Sequence, residues 1–501
     1  QSRIHPSMIR FFFFAVCLVL SKSVPTLSQT HSTICLDELL NIHVYHTKNL
    51  RIQYNNYKNA LLEREIFQKS LLPSMEISLM PISFNHSMRL LQSYQNGEYS
   101  NINEYSNTTS VGINISQFVS WTGGTFSVGS SLSYLSQFSS GIGSFSARPF
   151  YASYTQQLFG GRKSFAYRKS LSEQGYVVAI KTFCNAVAKE QQLLLGMFLD
   201  AYLAKQDIQY YARDIEICDT LVQYAYLRYE LGKTTEYDRN AIELHQMDSQ
   251  LNLQKAHGEY NRARRLLSEE LNIPNLEIGE LGDCYFPEEI TIADALYHAR
   301  QYNPVYDNLS MSRTSAEYNL YSERLQYRFN ADISLSYGLN QYAHSLAGAY
   351  RNPSQQQAVA VSLRIPVFQW GVNKRRLEKA RNEYKSLMLE QEKQVSAFVE
   401  SIHQCVEEYN RNSLMLRISE RRCTLAEKQY AFAIAQFATG KFSSADLSEA
   451  AKSRLRSKQE YTIVLSNLYR LYYELRQLSM YDFGTRRNIA SLLKLHEIHG
   501  A

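Results

Sequence analysis

A chain of 501 residues that is 45% hydrophobic and 20% charged has enough apolar mass for a large buried core, which excludes wholesale disorder. Its formal net charge of +6 is spread without a basic block, so the charge footprint of a nucleic-acid binder is absent and no nucleic acid partner is expected. The 37 Tyr against 2 Trp favour surfaces that are half apolar and half wet, such as bilayer interfaces and water-filled ducts.

The first element along the chain is the apolar run Phe11 to Leu20, which follows Arg10 and precedes Ser21, Ser23 and Ser28. This order predicts a secretory signal peptide within residues 1–28, with a start at Met8. The run is far shorter than the ~20 residues of a membrane-spanning helix. No later segment is apolar enough to span as a helix, so a secreted chain of this kind is either soluble outside the cytoplasm or a β-barrel protein. Beyond the signal, Cys35, Cys184, Cys218, Cys284, Cys405 and Cys423 form no CxxC pair and read as small apolar packers. The 12 His are scattered, and no His pair has ligand spacing backed by Cys or carboxylates, so neither metal nor cofactor is expected.

Two regions show β alternation. The first runs from Met75 to Phe159: Met75, Ile77 and Leu79 open it, Val111, Ile113 and Ile115 and then Phe126 and Val128 alternate inside it, and Phe150 to Phe159 closes it. In the second, Ile333, Leu335 and Tyr337 alternate with Asp332, Ser334 and Ser336, and Val359, Val361, Leu363, Ile365 and Val367 follow with small or polar residues between. One apolar face and one polar face is the pattern of a lipid-facing barrel strand. The first region is expected to hold one or two strands more than the second.

Each β region leads into a long helical pattern. Arg162 to Leu231 predicts about 70 helical residues, ~100 Å at ~1.5 Å per residue, and such a helix needs partners along its whole length. Its seam of Cys218, Val222, Ala225 and Tyr229 steps by four and three, as in a coiled coil, and stops at Gly232-Lys233, with Asp238 beyond. Moving 208 residues on gives Ala426, Tyr430, Ala433 and Phe437, then Gly440-Lys441 and Asp446. One unit is therefore written twice, and each Gly stands where a left-handed residue ends a helix. Four strands cannot close a barrel around a duct, and an open edge in hydrocarbon leaves backbone groups unpaired, so several protomers must share one barrel.

In this order the pieces resemble the TolC-like outer membrane efflux proteins. The matching residues are Leu36 to Leu40, Leu72-Pro73-Ser74, Gln157 to Gly161, Ile365 to Phe368 with Gly371, the two Gly-Lys turns, Leu271-Asn272, Asn303-Pro304 and Leu475 to Phe483. The resemblance implies an α+β membrane protein: two tandem repeats, each giving β-strands to a shared, twelve-stranded, trimeric outer membrane β-barrel and long coiled-coil helices to a periplasmic α-barrel. The first repeat covers residues 29–272 and the second 291–483, with an equatorial linker at 273–290 and a C-terminal tail at 484–501. Expected partners are a homotrimer, outer membrane lipid, a periplasmic adaptor and an inner membrane transporter of the RND, ABC or MFS type. No nucleophile elbow, P-loop or paired-carboxylate motif is present, so a passive duct rather than an enzyme is expected. The rival reading is a periplasmic coiled-coil scaffold or adaptor without membrane insertion.

In a duct, chemistry lies in rings of side chains. Asp446 and Glu449 share one helical face, and threefold symmetry would stack them as acidic rings whose repulsion raises their pKa values. They are equally well placed as a helix cap and a solvated face. The resemblance puts them at the periplasmic constriction and makes Asp238 a tie between neighbouring helices. The family's Arg and Tyr partners for that tie read Phe442 and Phe437 here, which leaves Lys441, Arg454 or Arg456 as substitutes. Gly232, Lys233, Gly440 and Lys441 would form the helical tips that meet the adaptor.

Overall fold

The computed structural model describes residues 33–40, 47–92, 99–138, 141–282 and 286–492. The expected signal segment and Cys284 lie outside them, as does the last part of the tail. The chain divides into two units, one made of residues 1–47, 191–285 and 415–470 and the other of 48–190, 286–414 and 471–501.

In chain order the first elements are β1 (Thr33–Ile34), α1 (Leu36–Leu40), α2 (Lys48–Lys69), β2 (Ser74–Met80), β3 (Phe84–Gln92), β4 (Tyr99–Val119), β5 (Gly124–Gln137) and β6 (Ile142–Gln157). A 70-residue helix, α3 (Gly161–Glu230), follows, then α4 (Glu236–Leu271), β7 (Glu277–Ile278), α5 (Ile292–Tyr302) and α6 (Pro304–Tyr327). The second half continues through β8 (Asn330–Ala343), β9 (Ser354–Arg364), the 67-residue α7 (Val372–Ala438) and α8 (Ser444–Ser479). It closes with β10 (Tyr481–Asp482), β11 (Arg487–Asn488) and α9 (Ile489–Leu492). Among the described residues no helix is long and apolar enough to cross a membrane.

The second unit holds a seven-stranded antiparallel sheet, ordered β2-β4-β5-β6-β8-β9, with β3 also paired to β4, and a small antiparallel pair of β10 and β11. Strands β2 and β3 lie end to end along β4: β2 pairs with Ser110–Ser116 and β3 with Tyr99–Asn107. Pro81 falls at the break, as expected of a residue with no N–H to give a ladder. Thr109 Oγ1 caps the Pro81 carbonyl at 2.8 Å, and Asn107 Oδ1 accepts from Ser83 N at 3.0 Å, so side chains patch the gap. The sheet thus has six strand positions, four from the first β region and two from the second. A twelve-stranded barrel shared by three copies would take four positions from each chain, two fewer than this sheet has.

Pairing register keeps one face largely apolar through the middle of the sheet, though not along the β3–β4 end, where Asn103 and Asn107 share it. Ile77 faces Ile113, Leu79 faces Val111, Val111 faces Leu132, Tyr154 faces Leu335 and Leu335 faces Val359. The other face is small or polar, with Ser78 opposite Gly112, Gly112 opposite Ser131, Ser153 opposite Ser336 and Asp332 opposite Ser362. Residues directly opposite share a face, so alternation in each strand sums to a two-faced wall. The edge strands are the most exposed: Leu79 and Val359 are each 73% accessible. Elsewhere in this unit, Cys184, Ala188, Met480 and Ile489 form a core where the C-terminal segment folds back. Tyr472 OH bonds Asp482 Oδ1 at 2.6 Å, and Asn303 Nδ2 donates to the Leu478 carbonyl at 2.8 Å.

The first unit packs α4 together with the parts of α3, α7 and α8 that adjoin the two helix-ending turns. Leu221, Ala225, Ile242, Tyr430, Ala433, Phe437, Leu447 and Ala451 are its buried cluster. Of the predicted seams, Cys218, Ala225, Ala426, Tyr430, Ala433 and Phe437 are buried, while Tyr229 is exposed. β1 pairs in parallel with β7, and Lys205 Nζ bonds the Ile278 carbonyl at 2.8 Å and Glu280 at 3.1 Å. No disulfide joins the cysteines among the described residues: Cys35, Cys184, Cys218, Cys405 and Cys423 are free.

Candidate functional site

The two helix-ending turns have the same hydrogen bonds. Gly232 N donates to the Tyr229 carbonyl at 2.9 Å and Lys233 N to the Arg228 carbonyl at 2.8 Å. At the second turn Gly440 N donates to the Phe437 carbonyl and Lys441 N to the Gln436 carbonyl, both at 3.0 Å. These are Schellman closures, which require a left-handed residue, and Gly232 (φ 66°) and Gly440 (φ 79°) supply it. A Cβ on Gly232 would meet nothing within 4 Å, so Gly is there for its backbone. Lys233 and Lys441 are exposed.

The next helices begin with capping boxes at matching positions. Thr235 Oγ1 accepts from Asp238 N at 3.1 Å while Asp238 Oδ2 accepts from the Thr235 hydroxyl at 2.7 Å and its N–H at 3.4 Å. Ser443 and Asp446 repeat this, with Asp446 Oδ2 accepting from Ser443 N at 3.0 Å and Oγ at 2.7 Å. Each box satisfies otherwise orphaned N-terminal donors. The Asp446 carboxyl is held below its ordinary value by the Ser443 hydroxyl and then the Ser443 N–H, the opposite direction from ring repulsion. Asp446 and Glu449 are both exposed on one face of α8.

Asp238 has a second role. Its Oδ1 accepts from the hydroxyl of Ser444, which is buried, so the start of α4 is tied to the start of α8. That bond, then the Thr235 hydroxyl, lowers the Asp238 carboxyl. A second tie crosses beside it: Arg228 Nη1 donates to the Phe437 carbonyl at 2.8 Å with its guanidinium 4.9 Å from the Phe437 ring. Of the three basic residues expected from sequence as partners of Asp238, two are engaged otherwise. Arg454 lies 4.4 Å over the Tyr430 ring and 3.9 Å from Glu427, and Arg456 pairs with Glu460 at 3.2 Å. Lys441 is exposed at the turn. Within one chain the partner is a serine hydroxyl, which no charge-matching search would select.

Sequence reasoning also missed a buried polar group. Asp214 and Cys218 lie one turn apart on α3, His245 and Ser249 one turn apart on α4, and the donor atoms of Asp214, Cys218 and His245 lie within 4.8 Å of one another. Burial, then the Asp214 and Asp219 charges, push the Cys218 thiol up to about 12, against Arg454. Each helix carries only a pair of donors at i, i+4, and they become one group only where α3 and α4 face each other.

Residues 308–479 match the family model described as outer membrane efflux protein. No curated protein sequence matches the chain. Among solved structures, the CmeC outer membrane channel of Campylobacter jejuni is similar, with a TM-score of 0.64 at 13% identity over 92% of this chain and 88% of that one. The outer membrane protein VceC of Vibrio cholerae gives 0.64 at 11% identity over 89% and 95%, and the open-state MtrE outer membrane channel of Neisseria gonorrhoeae gives 0.59 at 15% over 89% and 88%. These likenesses establish the fold, and the family match covers the second β region and the helices after it. The family match therefore covers about a third of the chain, while the fold as a whole is that of these outer membrane channels.

Proposed function

We propose that this protein is one protomer of a trimeric exit duct in the outer membrane, which passes cargo from an inner membrane pump of the RND, ABC or MFS type through a periplasmic adaptor to the outside. The observation that carries the reading is the two-faced sheet with two unpaired edges. An apolar wall suits lipid, the polar wall suits a water-filled lumen, and bare edges in hydrocarbon are tolerable only if neighbouring copies close them. Both Trp of the chain, Trp121 and Trp370, stand at the end of the sheet nearest the helices and are 77% and 86% accessible, as an interfacial aromatic girdle requires. A periplasmic scaffold gives no reason for such a wall.

With six positions per chain, three copies make an eighteen-stranded barrel. The Gly-Lys turns are the surfaces offered to the adaptor. Asp446 and Glu449, repeated by the threefold axis, make the cation-selective constriction, while Asp238–Ser444 and Arg228–Phe437 hold the four helix ends of each protomer together around it. The mature protein is expected to fractionate with outer membranes and to run as a trimer in mild detergent. A folded, monodisperse monomer in detergent would overturn the reading.

A further inference from the structure

The polar group between α3 and α4 belongs to neither the duct wall nor the turns. Asp214 and Cys218 are each 1% accessible and His245 is 7% accessible, so all three are inside. Ser249 Oγ donates to Asp214 Oδ2 at 2.7 Å, and His245 Nε2 stands 3.4 Å from the same oxygen. Asp214 Oδ1 and His245 Nε2, both buried, have no hydrogen-bond partner. Buried polar atoms are nearly always satisfied, so a carboxylate oxygen and an imidazole nitrogen left over beside a buried thiol are free to take a ligand.

We propose that Asp214, Cys218 and His245 bind one zinc ion that clamps the first helical hairpin. The donors are one thiol sulfur, one imidazole nitrogen and one carboxylate oxygen, a mixed set that suits Zn²⁺ and does not suit Ca²⁺ or Mg²⁺, which take oxygen ligands. Tetrahedral bonds of ~2.0 Å to nitrogen and ~2.3 Å to sulfur set neighbouring donors roughly 3.3 to 3.7 Å apart. Donors already within 4.8 Å reach that by side-chain adjustment on two fixed helices. Binding displaces the thiol proton to solvent, and the 2+ charge balances thiolate and carboxylate. Ser249 orients Asp214 from behind, as an outer-shell partner does, and water fills the fourth position.

The test uses purified full-length protein in detergent, stripped with chelator and titrated with Co²⁺ as a spectroscopic stand-in for Zn²⁺. One equivalent per chain should give tetrahedral d–d bands and a sulfur-to-cobalt charge-transfer band, and added Zn²⁺ should bleach both. Cys218→Ser should abolish the charge-transfer band and weaken binding by about tenfold or more, as should His245→Ala, while His257→Ala on the same helix should change nothing. Circular dichroism confirms that each variant is folded. Should Cys218→Ser or His245→Ala fail to fold, X-ray absorption on the zinc-loaded wild type decides, since a single sulfur in the first shell is required. Absence of the charge-transfer band in wild type, a band that survives Cys218→Ser, or a sulfur-free shell would overturn the proposal.

Discussion

Excising β4 and β5 tests the strand count directly. Removing residues 99–137 joins the residues after β3 to those before β6, at the same end of the sheet, and brings β2 and β3 beside β6 in antiparallel sense. Strands ~4.8 Å apart and tilted ~40° each occupy about 6.3 Å of circumference. Eighteen strands then give a backbone diameter of about 36 Å and twelve give about 24 Å, a difference of more than twofold in enclosed area. Electron cryomicroscopy of the trimer in lipid nanodiscs measures both. The intact protein is expected at about 36 Å and the excised chain at about 24 Å. An intact barrel near 24 Å, with β4 and β5 outside the wall, would refute the six-position count regardless of whether the excised chain assembles.

Gly232→Val and Gly440→Val should each cost about 1–2 kcal/mol locally through the left-handed backbone, and lower export in a transport assay while trimer yield is kept; full export by both would remove the turns as the adaptor contact. Asp238→Ala and Ser444→Ala should raise single-channel conductance in planar bilayers by loosening the tie between α4 and α8, and a change in only one of them would show that the shared hydrogen bond is not the tie. Asp446→Asn combined with Glu449→Gln should weaken cation selectivity, which unchanged reversal potentials would contradict. Carboxyl ¹³C titration separates cap from ring: a carboxyl lowered by its cap keeps its stabilising effect above the unfolded value of ~3.9 and loses it as pH falls through the lower folded value. Asp238 should therefore titrate below ~3.9 in any assembly, whereas Asp446 should titrate below it in the monomer and move upward in the trimer if the acidic ring forms; a low value in both states would leave Asp446 as a cap alone.

The fold was readable wherever the physics is periodic. Alternation in Ile333 to Tyr337 and Val359 to Leu363 marked strands, and the 208-residue echo of Gly232-Lys233 in Gly440-Lys441 marked both turns before any coordinates. The strand total was not readable, because Tyr99 to Thr109 is a polar run in which only pairing to β3 and β5 defines a strand. The capping boxes were half legible: Asp446 has a serine three residues earlier, yet a carboxylate in a first turn serves a cap and a pore ring equally well. What failed entirely was tertiary pairing. Nothing local links Asp238 to Ser444, 206 residues away, or Cys218 to His245, since α3 and α4 must first fold back on each other.

Strand β4 has 21 residues, ~70 Å of chain at ~3.3 Å per residue, whereas 9–11 residues cross a bilayer. The apolar alternation on it is confined to Val111, Ile113 and Ile115, where β2 pairs. If the sheet spans a bilayer as proposed, its far end, beside β3 and beyond the Pro81 break, would stand clear of the lipid as a ribbon rich in Ser, Asn and Thr. In the proposed duct, that ribbon would be the portion within reach of antibodies, phages and neighbouring cells. On that reading, substitutions there should alter who sees the protein and leave what passes through it unchanged.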